Sequence, residues 1–254
     1  MEQKSFHFKL KSHPDKLLYE HLTEVGKLSK EIILSKNIKN KELLSEISYL
    51  IGISHDFGKG TTYFQEHLNG KNTNKAFHSF LSSLFCYFLV KNFLKYKNDN
   101  LWHLPVISFL VVLSHHTDLH DLIGIDSIEE KLKDLSLVEE QISNIKKNTL
   151  QEMEEIYQRL NFLNLKEFFS SYTDMAENIM KDLNKLALNG KIEFYFLIIL
   201  LYSVLLDADK LNVLNLNFFS PSSPFPLDLI ERYKDEKFKN VREKEINILR
   251  EEAY

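Results

Sequence analysis

The stretch KLLYEHLTEVGKLSKEIILS, residues 16–35, decides the fold class. Leu18, Leu22, Val25 and Leu28 recur at the three- and four-residue spacing of one helix face, and His21 sits on that apolar stripe. Upstream, SFHFKLKS (5–12) alternates apolar and polar residues and is expected to be a short extended segment, and the His13-Pro14 step favours a turn before the helix. Downstream, helical periodicity predicts helices over about 41–57, 75–97, 103–117 and 190–213. Residues 126–190 carry Glu–Lys spacings suited to a solvated helical face. Beyond the turn-rich SPSSPFP (220–226) the chain reads as a mostly polar helix. The expectation is an all-α protein, one domain over 1–254 with its core at about 15–215, a peripheral helical segment at 126–165 and a helical tail at 226–254.

Composition agrees with long helices. Seven glycines and five prolines in 254 residues are too few for the many turns of a β-sandwich or a doubly wound fold. Hydrophobic residues make up 44%, including 19 phenylalanines, enough for a sizeable core. The single cysteine, Cys86 in FLSSLFCYFLV (80–90), excludes an internal disulfide and fits a reducing cytoplasm; its apolar surroundings suit a buried, inert thiol. The start MEQKSFHFKLK has no apolar core of a signal peptide. The most apolar stretch, FYFLIILLYSVLL (194–206), is too short to span a bilayer and reads as a core helix, so no membrane association is expected. A net charge of −4 gives no general basic footprint for nucleic acid.

Chemistry concentrates at Ser54-His55-Asp56-Phe57-Gly58-Lys59-Gly60. Adjacent His and Asp at a helix end offer one cation a neutral nitrogen and a charged oxygen able to bridge two metals. Gly58 removes a side chain that would block approach, and Lys59 is placed to hold a phosphate oxygen. The Gly-Lys-Gly step is not a phosphate loop: five residues separate Gly52 from Gly58, and Gly60 stands where a hydroxyl would bind magnesium. Four further polar positions stand on or at the ends of apolar helices: His21; His78; His115-His116 after VISFLVVLS (106–114); and Asp207-Ala208-Asp209. Each alone is more often structural. Together they imply a shared purpose, because burying so many ionisable groups is costly unless they bind a cation or one another. Helical bundles build metal sites from such inward-projecting side chains.

The ordered set H…HD…H…HH…D resembles the HD phosphohydrolase superfamily. With HDFGKG and DADK it is most similar to the stand-alone form of the CRISPR-associated HD nuclease, the nuclease half of the type I interference helicase–nuclease. The resemblance covers about 15–215. It implies an HD-domain bundle around a dinuclear centre, with His21, His55, Asp56 and Asp209 holding one metal and His78, His115 and His116 the second, bridged by Asp56. Asp56 and Lys59 would be the catalytic groups, Lys59 touching substrate phosphate. Asp207 and Asp209 lie two apart on a helix and cannot face the same way; the family's Ala-Asp step favours Asp209. Mixed nitrogen and oxygen ligation implies one or two divalent transition metals (manganese, nickel, cobalt or iron) rather than magnesium. The implied substrate is single-stranded DNA or RNA, and the implied partners are a separate helicase subunit and a CRISPR surveillance complex in the cytoplasm. Lys59, Lys71 and Lys75 would be the basic groups near the mouth, Phe64 and Phe77 stacking groups, and Asp118 and His120 substrate-side contacts; His7, His13, His67 and His103 read as surface or local residues. Two alternatives remain. One is an HD phosphohydrolase acting on nucleotides or cyclic nucleotides, although HHTDLHDLIGID (115–126) lacks the Gly-Tyr-Pro triplet of the cyclic-dinucleotide branch. The other is a non-catalytic helical interaction subunit.

Overall fold

Most of the 16–35 stretch forms a helix, α1 (Leu18–Leu34), which buries Leu18, His21, Leu22, Val25, Ile32 and Ile33. Its neighbour α2 (Lys41–Ser54) packs along it. The two backbones touch at a glycine pair: a Cβ placed on Gly52 would stand 2.7 Å from Gly26 Cα and 2.8 Å from Gly26 N. Any larger side chain there would push the helices apart, and with them His21 and His55. The expected extended segment is an antiparallel hairpin, β1 (Lys11–His13) and β2 (Lys16–Leu17), leading into α1.

The computed structural model describes residues 6–71, 73–97, 101–117, 125–162 and 165–216, all within one compact unit, Met1–Phe218. Among the described residues there are ten α-helices and the one hairpin, so the architecture is all-α. After α2 come a 3-10 turn (Phe57–Gly60), α3 (Thr62–Leu68), α4 (Ser79–Tyr96) and α5 (His103–Ser114). Then follow α6 (Ile125–Lys133), α7 (Ser136–Asn148), α8 (Leu150–Arg159), α9 (Leu165–Asn189) and α10 (Ile192–Val213). Helices α4 and α5 pack as a second pair, and α10 lies against α1, α2 and α5. Gly190 (φ +51°), in the left-handed region that glycine adopts without strain, makes the turn from α9 to α10.

Two expectations need correction. The segment 126–165 is not peripheral: Val138, Ile142 and Ile145 of α7 and Met153, Ile156 and Tyr157 of α8 are buried in the common core. Tyr157 donates its hydroxyl to Ile53 O at 2.9 Å, tying α8 to the end of α2. The charged pattern hid a narrow apolar stripe on each helix. Residues 194–206 are only in part a core helix: Ile198, Leu201, Val204 and Leu205 are buried, while Tyr195 and Phe196 are 57% and 63% exposed. Among the described residues one segment, Asn74–Tyr96, is long and apolar enough by composition to cross a membrane, and its Leu81 to Val90 are buried in the core. The tail expected at 226–254 lies outside the described residues.

Candidate metal centre

Five helix ends converge on Asp56. His55 is the C-cap of α2, His115 the C-cap of α5 and His78 the N-cap of α4; His21 sits in the first turn of α1, and Asp209 in the last turn of α10. Asp56 follows His55 directly, and the 3-10 turn begins one residue later. Gly58 has a role other than the expected one. A Cβ there would stand 2.7 Å from His78 O, so its lack of a side chain lets the start of α4, and hence His78, approach the turn.

The ligand atoms form two sets, one on each oxygen of Asp56. On the Oδ2 side, His21 Nε2 lies 3.1 Å from Asp56 Oδ2, 3.2 Å from Asp209 Oδ1 and 3.2 Å from His55 Nε2. His55 Nε2 lies 3.4 Å from Asp56 Oδ2 and 3.8 Å from Asp209 Oδ1. On the Oδ1 side, His78 Nε2 lies at 3.1 Å and His115 Nε2 at 3.6 Å, and His116 Nε2 is 2.9 Å from His78 Nε2. Donors bound at about 2.1 Å to one cation stand about 3.0 Å apart in an octahedral shell and about 3.4 Å in a tetrahedral one. Six of the eight separations, 2.9–3.4 Å, are of that size, while His115–Asp56 at 3.6 Å and His55–Asp209 at 3.8 Å are wider. The structure therefore brings together all seven residues expected as ligands. Asp209 rather than Asp207 faces the histidines; Asp207 is exposed.

Hydrogen bonding decides which way the imidazoles present their lone pairs. His55 Nδ1 lies 2.7 Å from Gly52 O, and His115 Nδ1 lies 2.6 Å from Val112 O. A carbonyl can only accept, so Nδ1 carries a proton in both rings and Nε2 is the atom aimed inward. Ser-His-Asp (54–56) and Ser-His-His (114–116) use one device twice: a C-cap histidine bonds back to a carbonyl three residues earlier in the last turn of its helix. Asp56 Oδ1 and Oδ2, His115 Nε2 and Asp209 Oδ1 are buried and receive no well-directed hydrogen bond. Unsatisfied acceptors at this depth call for an explanation. A cation at each set supplies one, so the residues fit a metal and could hold two.

The charges follow the geometry. Burial works against ionised Asp56, but His55, Lys59, His115 and His21 outweigh it and hold the carboxyl well below its ordinary value. Asp209 is likewise held low against its burial, by His21 and His55. His21 is opposed by burial yet raised to about 9 by Asp209 and Asp56. Burial lowers His78 to about 4, leaving it neutral and free to donate a lone pair at neutral pH. His116, exposed at the edge of the site, is also shifted down, by desolvation and then by His115 and His78.

No family profile, curated protein or solved structure matches this chain.

Lys59 is inside the site rather than at its mouth. It is 4% exposed; its Nζ lies 2.7 Å from Asp56 Oδ2 and donates to Ser12 O at 3.3 Å. Phe64 is buried beneath it and meets the His78 ring edge-on, whereas Phe77 is 69% exposed. Lys71 and Lys75 are paired with Glu66 and Glu140. Asp118 and His120 lie outside the described residues. Three neighbours escaped the sequence reading. The His13 ring, delivered by β1, stands 5.1 Å from that of His21. Asn212 Oδ1 lies 2.7 Å from His21 Nδ1, and Asn212 Nδ2 donates to Glu24 Oε2. The available signal was placement: Glu24 follows His21, and Asn212 follows Asp209, by three residues, on the same helix faces.

Proposed function

We propose that this protein is a metal-dependent phosphodiesterase of the HD superfamily, a nuclease that hydrolyses single-stranded nucleic acid in CRISPR interference. The observation that carries the reading is Asp56. Each oxygen of this one buried carboxylate faces its own set of histidines, and neither receives a well-directed hydrogen bond. That is the arrangement a bridging ligand needs. His21, His55 and Asp209 would hold one cation, and His78, His115 and His116 the other. Bound cations would supply Lewis acidity toward a phosphoryl oxygen and an ionised water at neutral pH. The chain's own residues do the rest. His55 and His115 are held with Nε2 toward Asp56 by the contacts of their Nδ1 atoms with Gly52 O and Val112 O. Lys59 keeps Asp56 ionised in the metal-free protein, and its ammonium is then available to a phosphate oxygen once Asp56 is engaged. Nitrogen-rich ligation favours manganese, nickel, cobalt or iron over magnesium. Polymer substrate, helicase partner and surveillance complex rest on the ligand order that resembles the CRISPR-associated nuclease.

The test is cleavage of end-labelled single-stranded DNA and RNA by chelator-stripped protein reloaded with manganese, nickel or magnesium. Cutting that needs a transition metal and disappears in His55→Ala is expected. Equal or faster cutting in magnesium, or a His55→Ala protein that keeps most activity, would overturn the assignment.

One observation favours a second reading. Lys16, Lys71 and Lys75, around the mouth, are already paired with Glu24, Glu66 and Glu140. A polymer track draws on unpaired cations, so a short nucleotide is the alternative substrate. Hydrolysis of nucleotides without cutting of either polymer would select it.

A further inference from the structure

We propose that Asn212, oriented by Glu24, is the positioning residue that fixes His21 for metal binding and thereby sets the affinity of the Asp209-side centre. The inference rests on the metal-centre reading and adds a control point outside the ligand set.

His55 and His115 find their acceptors in the last-turn carbonyls of their own helices. His21 has no such option. It stands in the first turn of α1, where the preceding carbonyls are taken up by the helix, so its acceptor must come from elsewhere. Helix α10 supplies it. Asn212 is 5% exposed, and its Oδ1 lies 2.7 Å from His21 Nδ1.

An amide can present either oxygen or nitrogen, so something must choose. Glu24 chooses: its carboxylate can only accept, and it takes Asn212 Nδ2. Lys16 holds Glu24 in place at 2.8 Å and also donates to Asn212 O at 3.1 Å. With the nitrogen committed to Glu24, the oxygen must face His21, whose Nδ1 then donates. That leaves Nε2 as the atom aimed at Asp56 and Asp209. The same interlock sets how α10 sits on α1: His21 and Glu24 on one helix meet Asp209 and Asn212 on the other. It places Asp209, not Asp207, in the site. The Oδ1-side set draws nothing from this network, because His115 is oriented from within α5 and Asp56 is carried by the turn after α2.

The test uses stripped, full-length protein titrated with cobalt, read by visible absorption and by calorimetry. Wild-type protein should take up metal at two distinguishable sites. Asn212→Ala should weaken one by about 10- to 100-fold, the usual effect of losing such an outer partner, and leave the other unchanged. Asn212→Asp should weaken the same site, since two carboxylates would then face each other. The double variant Asn212→Asp/Glu24→Gln reverses donor and acceptor along the same path and should restore affinity to within roughly threefold of wild type, because the two sites are directly coupled. A merely structural role for Asn212 would move the thermal midpoint of metal-free protein without that rescue. Wild-type affinity in both single variants, or a double variant no better than either, overturns the inference. Wild-type protein that binds no metal overturns the metal-centre reading itself, and that result appears in a different arm of the experiment.

Discussion

Loading the metal-free protein with cobalt or manganese should release at least one proton per chain at pH 7, and His21 should supply it. In the metal-free site the Nε2 of His21 lies 3.1 Å from Asp56 and 3.2 Å from Asp209, and its pKa is raised to about 9 although the ring is buried. Two pH units below that value the ring is about 99% protonated. A cation that takes the Nε2 lone pair must expel that proton. Asp56 and Asp209 contribute none, being held ionised, and His78, lowered to about 4, is already neutral. Apparent affinity for the Asp209-side centre should therefore rise about tenfold per pH unit from 6.5 to 8.5 and level off near 9. The full span between pH 7 and that plateau is about 100-fold, or about 2.7 kcal/mol. Calorimetric titration in two buffers of different ionisation enthalpy counts the proton directly. A flat affinity profile across that range, with no proton released, would refute the argument.

The same shifts order the stability of the metal-free protein. A raised His21 stabilises the fold fully below about pH 6.5 and loses that contribution as pH climbs through about 9, a loss of about 3 kcal/mol. The depressed Asp56 and Asp209 stabilise above about pH 4 and lose it as acid is added. Depressed His78 works the other way, because the unfolded chain takes up its proton below about pH 6.5 and the fold only near 4; urea midpoints of stripped protein should thus peak near pH 6.5, and a peak at pH 9 would contradict the pairing. Asp56→Asn should abolish uptake at both centres and destabilise metal-free protein by about 3–5 kcal/mol, because Lys59 loses its buried counter-ion; retention of either metal would exclude a shared bridge. Gly52→Ala should cost about 1–3 kcal/mol by forcing α2 off Gly26, and should weaken metal binding through the separation of His21 from His55, checked by melting with and without cobalt. Tyr157→Phe should cost about 1–2 kcal/mol in urea by leaving the buried Ile53 carbonyl unpaired; no change would return α8 to the periphery.

The helical class and the positions that meet around Asp56 were legible because both are written locally. A stripe such as Leu18, Leu22 and Val25 carries the helix period, and polar residues at the ends of apolar runs mark where buried chemistry is concentrated. What was not legible depends on neighbours distant in sequence. The charged surfaces of α7 and α8 masked the few residues, such as Ile145 and Tyr157, that anchor them. Gly58 reads equally well as an open approach or a tight contact until His78 is placed against it. Lys59 could face solvent or Asp56, and the short turn after α2 turned it inward. Asn212 and Glu24 belong to residue types so common in this chain that only the meeting of α1 and α10 distinguishes them.

The glycine turn between α9 and α10 gives the molecule a far pole. From Ile192 to Asp209 the helix climbs about 26 Å at 1.5 Å per residue, and the residues around Gly190 are exposed. A fluorophore, affinity handle or short insertion placed at that turn would stand well clear of every ligand. It makes the exposed residues beside Gly190 a natural anchoring point for immobilising the protein with the candidate metal centre free.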